Sequence, residues 1–255
     1  DIASENDVFL AGALFLPPGW SILREGEPIG TFFGYQTDGI FQSDTEIANG
    51  PLLSAQINGN TAKPGDRRFK DQGSRDAQGN LTSQPDGIIN EADRVILGNA
   101  YPDFFYGITN NFKYKGFDFS FFIQGSQGND VVNVGLFELA FLNGETNVLE
   151  EYYVNAWSDE NPTQEYPRIN PDANSKSIFS DAYVEDGSFA RLQNVTLGYS
   201  FPPGILDRLK IRKLRVYFSG NNPVTLTKYS GFDPEVNAFG NSTLYQGADY
   251  GGYPT

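Results

Sequence analysis

Residues 104–124, which read FFYGITNNFKYKGFDFSFFIQ, decide the fold because apolar and polar positions alternate along nearly the whole stretch. Even-numbered positions from Phe104 to Tyr114 are apolar except for Asn110, and odd-numbered positions from Phe117 to Ile123 are all apolar. Alternation with a period of two is typical of a β-strand that has one apolar face. Lys115-Gly116 separates the two runs, so the stretch predicts two antiparallel strands joined by a tight turn.

The same alternation returns further along the chain. It covers 194–201 and then 214–219, with Pro202-Pro203-Gly204 ending the first of these runs, and an earlier strand pair is predicted near 20–24 and 30–37. No long helical periodicity occurs, so the chain is predicted to be all-β. Runs of about ten residues fit a strand that crosses a membrane obliquely, but they also fit a soluble sandwich.

The lengths of the connections favour the membrane barrel. The connection at Lys115-Gly116 is tight and that at 202–213 is fairly short, whereas 38–101 and 125–188 are long. Membrane barrels have short turns on one side and long loops on the other, and a sandwich has no reason to sort its connections in this way.

The long connection 125–188 is acidic and aromatic. It holds twelve acidic residues and two basic ones, with a short helix predicted around Glu150, Glu151 and Tyr153. Its aromatic residues either bind sugars by ring stacking or are covered by the loop itself, and the sequence leaves both open; they are Phe137, Phe141, Tyr152, Tyr153, Trp157 and Tyr166.

Composition excludes several classes of function. The chain has 255 residues and a net charge of −14, which argues against nucleic acid as a partner. It contains neither Cys nor His, so disulfides, thiolate sites and His-based catalysis are absent from it. No apolar stretch is long enough for a transmembrane helix. No carboxylate pair stands out as catalytic, and we predict no enzymatic role.

Five stretches of sequence, in this order and spacing, resemble the SusC/RagA family of TonB-dependent outer-membrane transporters. They are 26–30 with 33–35 and 38–41; 64–66 with 86–90 and 93–94; 96–99 with 102–104 and 106–107; 192–199; and 227–235. The resemblance implies that residues 1–255 are the C-terminal part of a barrel of about 22 antiparallel transmembrane strands with long extracellular loops. The plug domain, the N-terminal strands and the final strand are expected outside this segment.

The resemblance also implies a function and partners. Members of the family import oligosaccharides or peptides across the bacterial outer membrane, are driven through TonB, and work with a SusD-like surface lipoprotein. No substrate-binding residue can be named from the sequence. The apolar positions of the hairpin would face lipid; they are Phe104, Tyr106, Ile108, Phe117, Phe119, Phe121 and Ile123. Its polar positions would face the lumen; they are Thr109, Asn111, Asp118, Ser120 and Gln124. The alternative is a secreted, calcium-stabilised β-sandwich that binds glycans.

A calcium site is predicted at an Asp-Gly turn. Residues 86–93 fit the second half of an EF-hand-like loop, in which Asp86, the carbonyl of Ile88, Asn90 and Asp93 supply oxygen ligands. The resemblance implies Asp71 as the first ligand, although residues 73–85 are inserted before the turn. That insertion either loops out and leaves the site intact, or abolishes it. An Asp-Gly turn without a metal is the other interpretation.

Overall fold

A computed structural model describes residues 7–10, 16–54, 62–76, 81–82, 84–140, 147–169, 178–207, 210–235 and 246–251, without the side chains of residues 137 and 138. They divide into two compact units. The strand unit spans residues 102–129 and 186–229, and the loop unit spans 1–101, 130–185 and 230–255. Both units are built mainly from β-strands.

The strands, in chain order, are β1 (Val8–Phe9), β2 (Ser21–Leu23), β3 (Thr31–Gly34), β4 (Thr37–Ile40), β5 (Leu52–Leu53), β6 (Arg67–Phe69), β7 (Ile88–Ile89), β8 (Val95–Asn99), β9 (Phe104–Tyr114), β10 (Phe117–Gln127), β11 (Asp130–Asn133), β12 (Val184–Asp186), β13 (Phe189–Ser200), β14 (Arg215–Thr227) and β15 (Ala248–Asp249). The helices are α1 (Asp44–Asn49), α2 (Gly135–Leu139), α3 (Glu150–Asn155) and α4 (Pro203–Leu206). Across the described ranges, no helix is long and apolar enough to cross a membrane.

The strand unit is one antiparallel sheet in the order β14-β13-β10-β9. Its strands have 11, 11, 12 and 13 residues in chain order. The predicted hairpin is confirmed, since Phe117 pairs with Tyr114 across the turn. Strand β10 continues to Gln127, three residues beyond the alternating stretch, because Gly125 and Ser126 still pair with β9 and β13.

The register of this sheet separates apolar from polar side chains over all four strands. Phe119 lies between Phe112 and Leu197, and Leu197 in turn lies opposite Phe218. On the other face, Ser120 lies between Asn111 and Thr196. The two sets of residues predicted to face lipid and lumen therefore lie on opposite faces of one sheet.

A bulge at Gln193 keeps the apolar face continuous. Leu192 pairs with Ile123 while Asn194 pairs with Phe122, so Gln193 is left over in the ladder. The extra residue shifts the alternation by one, and Leu192 joins Val195 on the apolar face. The pairing of β13 with β14 also shifts beside Gln193, between the pairs Leu192–Val224 and Asn194–Asn221. Pro223 lies at this shift, and it has no N–H to donate to the ladder.

The apolar face of the sheet is exposed within the strand unit. Phe112 and Phe117 retain 53% and 55% of their accessible surface, and Phe218 retains 72%. Neighbouring rings pack against each other along this face, with centroids 6.2 Å apart for Phe112 and Phe119 and 4.6 Å apart for Phe117 and Tyr199. A contiguous apolar surface of this kind marks an interface with membrane or protein.

The loop unit has its own core. Its largest sheet has the order β1-β2-β3-β8. Trp20, in the turn just before β2, packs against Phe32 and Phe179, with ring centroids 5.9 and 6.4 Å from its own. The buried guanidinium of Arg94 donates hydrogen bonds to the carbonyls of Gly19 and Phe33. The segments 38–101 and 125–188, predicted only as long loops, thus contain short strands. The pairs β5 with β7 and β11 with β15 are parallel.

The β9–β10 turn gives a direct test of the sheet. Lys115 and Gly116 both have positive φ, at 46° and 88°, as a two-residue hairpin turn requires. A Cβ on Gly116 would also lie 2.7 Å from the carbonyl oxygen of Ser200. We expect Gly116→Val to reduce the ratio of folded to unfolded protein at least about tenfold at a fixed denaturant concentration, measured by gel mobility of the complete gene product, as ~1.4 kcal/mol of strain would produce.

Lys115→Asn serves as the matched control at the same turn, because Asn readily adopts positive φ. Its folded fraction should equal that of the wild type. Equal folding of Gly116→Val and Lys115→Asn would show that this turn does not set the register of the hairpin.

Candidate functional site

The loop that carries the predicted calcium ligands is organised around Asp93. This residue ends a 3-10 turn at 91–93 and is 1% exposed. Its Oδ1 accepts hydrogen bonds from the backbone N–H groups of Gln72 and Gly73 at 2.7 and 3.2 Å, and its Oδ2 accepts one from Asn90 at 2.8 Å. One carboxylate therefore connects the start of the insertion to the end of the loop.

Asp71 closes the base of the insertion. Its Oδ1 accepts from Gly73 at 2.9 Å and from Asp86 at 3.3 Å, and its Oδ2 accepts from Gly87 at 2.7 Å. Gly73 lies so close to Gln84 that a Cβ would meet the Gln84 carbonyl. The two ends of 73–85 thus lie side by side, and the insertion loops out; residues 77–80 and 83 lie outside the described residues.

The remaining predicted ligands make local turns. Asp86 Oδ1 accepts from the N–H of Ile88 at 3.0 Å, and Asn90 Oδ1 accepts from the N–H of Ala92 at 2.8 Å. The carbonyl of Ile88 accepts a long bond, 3.4 Å, from Asn90 Nδ2. Asn90 and Asp93 form a reciprocal capping box around the 3-10 turn.

The structure brings all five predicted ligands into one loop, where the side-chain oxygens accept from backbone amides and the Ile88 carbonyl accepts from the Asn90 side chain. Among the described residues, no three acidic side chains form a group that could hold a metal. Calcium takes six to eight oxygens, several of them from carboxylates. Burial raises the pKa of Asp93, and the amide hydrogen bonds from Asn90 and Gln72 partly offset that rise. The loop is thus closed by hydrogen bonds alone, and calcium binding stays a prediction.

Three aromatic residues of the acidic segment, Tyr152, Trp157 and Tyr166, are partly buried. The rings of Tyr152 and Tyr166 meet edge to face, with centroids 5.2 Å apart. The Trp157 indole donates to Gln42 Oε1 at 3.0 Å. The hydroxyl of Tyr166 donates to Glu151 Oε1 at 2.5 Å, which raises the pKa of Tyr166 to about 12. Phe137 and Phe141 lie outside the described side chains.

One aromatic residue of this segment remains open to solvent. Tyr153 is 71% exposed on α3, the helix predicted at this position, and it borders a pocket of about 590 Å³ with Trp157 and Arg168. Beneath the pocket, Arg168 Nε donates to Asp66 Oδ1 at 2.6 Å. The sequence did not reveal this ion pair, because its partners are 102 residues apart.

The polar face of the strand unit carries its own paired groups. Arg215 donates to Asp118 through Nε and Nη2, at 3.1 and 2.5 Å. A Cβ on Gly198 would lie 2.7 Å from the Asp118 carboxylate, so a glycine leaves room for this pair. Asn194 Nδ2 donates to Asn221 Oδ1 at 2.9 Å further along the sheet. This face has the polar character of a water-filled lumen.

Removal of the Asp93 carboxylate should open the loop. Asp93→Ala leaves the N–H groups of Gln72 and Asn90 without this acceptor, whereas Gly73 keeps Asp71, and each lost acceptor costs about 1–3 kcal/mol. We expect hydrogen exchange at Gln72 and Asn90 in the complete gene product to accelerate at least about 30-fold. Asp86→Ala is the control, because its side chain accepts from Ile88 alone. Equal acceleration in both variants would contradict the role of Asp93.

The same loop gives a pH prediction of definite sign. A carboxyl whose pKa is raised in the fold binds more protons when folded, so its contribution to stability is full below its ordinary pKa and is lost as pH rises through the raised pKa. Exchange at Gln72 and Gly73, corrected for intrinsic rates, should therefore slow from pH 7 to pH 4. Acceleration over that range would contradict a raised pKa, and Asp93→Asn should show no such dependence.

Calcium binding has a separate test in the complete gene product. If the loop binds the ion, millimolar calcium added after chelation raises the melting temperature, and Asp93→Ala removes that rise. An unchanged melting temperature would contradict calcium binding and would mean that the amide hydrogen bonds stabilise the loop without a metal.

Comparisons with known proteins agree along almost the whole chain. The chain is 38% identical over 255 residues to TonB-dependent receptor P3 of Formosa agariphila, covering 98% of the chain and 23% of the receptor. It is 31% identical over 196 residues to TonB-dependent receptor SusC of Bacteroides thetaiotaomicron, covering 75% of the chain and 17% of that protein. No protein-family model matches.

A solved structure, that of the RagAB peptide transporter, has the same fold. It matches 98% of this chain and 23% of the transporter chain, with a TM-score of 0.66 and 21% sequence identity. The chain therefore spans about a quarter of the length of the proteins that it resembles. Together with the two-faced sheet, these similarities show that the chain belongs to the SusC/RagA family of TonB-dependent receptors, which are transport proteins rather than enzymes.

Proposed function

We propose that this chain forms part of the wall and the external loops of an outer-membrane transporter that imports nutrients through TonB. The observation that carries the proposal is the strand unit, whose four strands present one apolar and one polar face in continuous register. A sheet that closes into a membrane barrel needs this arrangement, with lipid outside and water or plug inside. Family membership supports the same assignment.

The length of the strands fits a membrane. Strands of 11 to 13 residues, at about 3.3 Å per residue and the tilt of about 45° that barrels adopt, reach about 26–30 Å along the membrane normal, which covers the apolar band of about 25 Å of outer-membrane barrels. All four strands meet this length, whereas the strands of the loop unit have two to five residues. The strand unit therefore supplies the membrane wall, and the loop unit supplies segments outside the bilayer.

The orientation follows from the connections within the strand unit. The turn at Lys115-Gly116 and the connection from β13 to β14 lie at one end of the sheet, since Phe117 pairs with both Tyr114 and Tyr199. Short connections lie on the periplasmic side of membrane barrels. This end is therefore periplasmic, and the long connections are extracellular.

The finer assignment concerns substrate and partners. RagAB is a peptide transporter, and SusC is a TonB-dependent receptor. By analogy, this transporter takes up oligosaccharides or peptides and is covered on the outside by a SusD-like lipoprotein. TonB would act through a region beyond these residues. The exposed Tyr153 and its pocket offer an aromatic surface to either partner or substrate.

A pair of neighbouring substitutions tests the two faces. Phe121 lies on the apolar face and Ser120 on the polar face, and they are the fifth and fourth of the 11 residues of β10. An Arg exposed to lipid near the bilayer centre costs about 2–4 kcal/mol, whereas an Arg that faces the lumen is tolerated. We expect Phe121→Arg to lower the ratio of folded, membrane-inserted protein to unfolded protein at least about 30-fold at a fixed urea concentration in the complete gene product. Ser120→Arg should leave it nearly unchanged.

The outcome separates the barrel from a soluble sandwich. In a sandwich the apolar face packs against protein, and the wild type is released from membranes without detergent. Release without detergent, or equal effects of the two substitutions, would remove the basis of the proposed function.

A further inference from the structure

The positive charge of this acidic chain is concentrated at one place. Of its 18 Lys and Arg residues, seven lie in 113–118 and 207–215, together with only two acidic residues, Asp118 and Asp207. The remaining sequence is strongly acidic, since the chain carries 32 acidic residues in all. These two segments are therefore positively charged within an acidic chain, and a positively charged surface attracts anionic ligands.

The fold brings the two basic segments together. Phe117 pairs with Tyr114 and with Tyr199, while Ser200 pairs with Arg215. The N–H of Ser200 also donates to the carbonyl of Gly116 at 2.8 Å. The turn and the β13–β14 connection thus form one edge of the sheet, which we name the basic rim; its described cations are Lys113, Lys115, Lys210, Arg212, Lys213 and Arg215.

The cations of the basic rim are exposed and largely uncompensated. Only Arg215 has an ion-pair partner among the described residues, Asp118 at 2.5 Å. Lys113 and Arg215 lie on the polar face with Asp118 and line a pocket of about 510 Å³ beside the turn. Lys115 of the turn and Lys210, Arg212 and Lys213 of the connection are exposed at the edge itself. An edge that presents several cations to solvent suits an anion with several oxygen acceptors, such as a phosphate group.

Apolar side chains border the same edge. The ammonium of Lys115 lies 5.2 Å from the centre of the Tyr114 ring, so it extends along the apolar face at its end. Phe117 and Tyr199 lie beside this ring in the sheet, and Ile205 and Ile211 of the connection are 50% and 39% exposed. Aromatic rings next to cations are typical of the level where lipid headgroups lie.

We propose that the basic rim binds the phosphate headgroups of anionic phospholipids, with the acyl chains along the apolar face. The proposal rests on the proposed function, which places this end of the sheet at the periplasmic leaflet. Ammonium and guanidinium groups donate to the phosphodiester oxygens, and no covalent step is involved. Each Lys or Arg near an anionic leaflet contributes about 1 kcal/mol, a factor of about five in affinity.

The test uses the complete gene product in nanodiscs that contain phosphatidylcholine and phosphatidylglycerol. Tyr199→Trp introduces a fluorescent reporter at the edge of the sheet, and the fluorescence of the protein without this substitution is subtracted. A lipid with brominated acyl chains quenches the reporter when it lies next to it. The rim variant carries Lys115→Gln, Lys210→Gln and Lys213→Gln. The matched control carries Lys63→Gln, Lys70→Gln and Lys228→Gln, which remove the same charge outside the rim.

The measured quantity is the ratio of phosphatidylglycerol to phosphatidylcholine next to the reporter, relative to their ratio in the nanodisc. We expect a ratio of at least about five for the wild type and the control, and a ratio near one for the rim variant. High salt should reduce the preference. A wild-type ratio near one, or equal loss in both variants, would overturn the inference. Loss of the preference in inorganic phosphate at constant ionic strength would assign the basic rim to a soluble anion and would also overturn it.

Failure of the proposed function has a different signature. If the protein is not in a barrel, neither brominated lipid quenches the reporter. Quenching by both lipids with no preference leaves the barrel intact and removes only the lipid assignment.

Discussion

The register of the four-stranded sheet is the constraint on which the rest of the strand unit depends. In a membrane every backbone N–H and C=O must be paired within the protein, so strands can neither end nor slip inside the bilayer. A slip by one residue would turn Phe117, Phe119 and Phe121 of β10 from the apolar to the polar face. The turn at Lys115-Gly116 and the bulge at Gln193 hold the register, one at the end of a strand and one in its middle.

The loop unit meets a different constraint, because its strands are too short to be stable alone. Side chains that bridge distant segments take the place of long ladders. Arg94 connects Gly19 and Phe33, Asp93 connects Gln72 and Asn90, and Arg168 is paired with Asp66. These contacts fix the shape of the loop unit although its strands are short.

The sequence predicted the strand unit well and the loop unit poorly, for physical reasons. A period of two in the side chains follows directly from strand geometry, so the alternation alone places Phe104 to Gln124 on two faces. The bulge at Gln193 was not predicted, because a change of phase between Leu192 and Val195 is equally consistent with the start of a new strand at Asn194. The order of motifs predicted the family, and the short helix at Glu150 was predicted from local composition. The ion pair of Asp66 and Arg168 depends on contacts far apart in sequence.

The closure of the insertion by Asp71 has a consequence for how such receptors diverge. Since Asp71 bonds to Gly73 on one side and to Asp86 and Gly87 on the other, the chain returns to its starting point before β7 begins. The cost of closing a loop grows only with the logarithm of its length, about 0.6 kcal/mol for each doubling. Residues between these anchors can therefore be added or removed at little cost to the remainder. The position is therefore suited to the insertion of a peptide epitope that leaves the remainder of the loop unit in place.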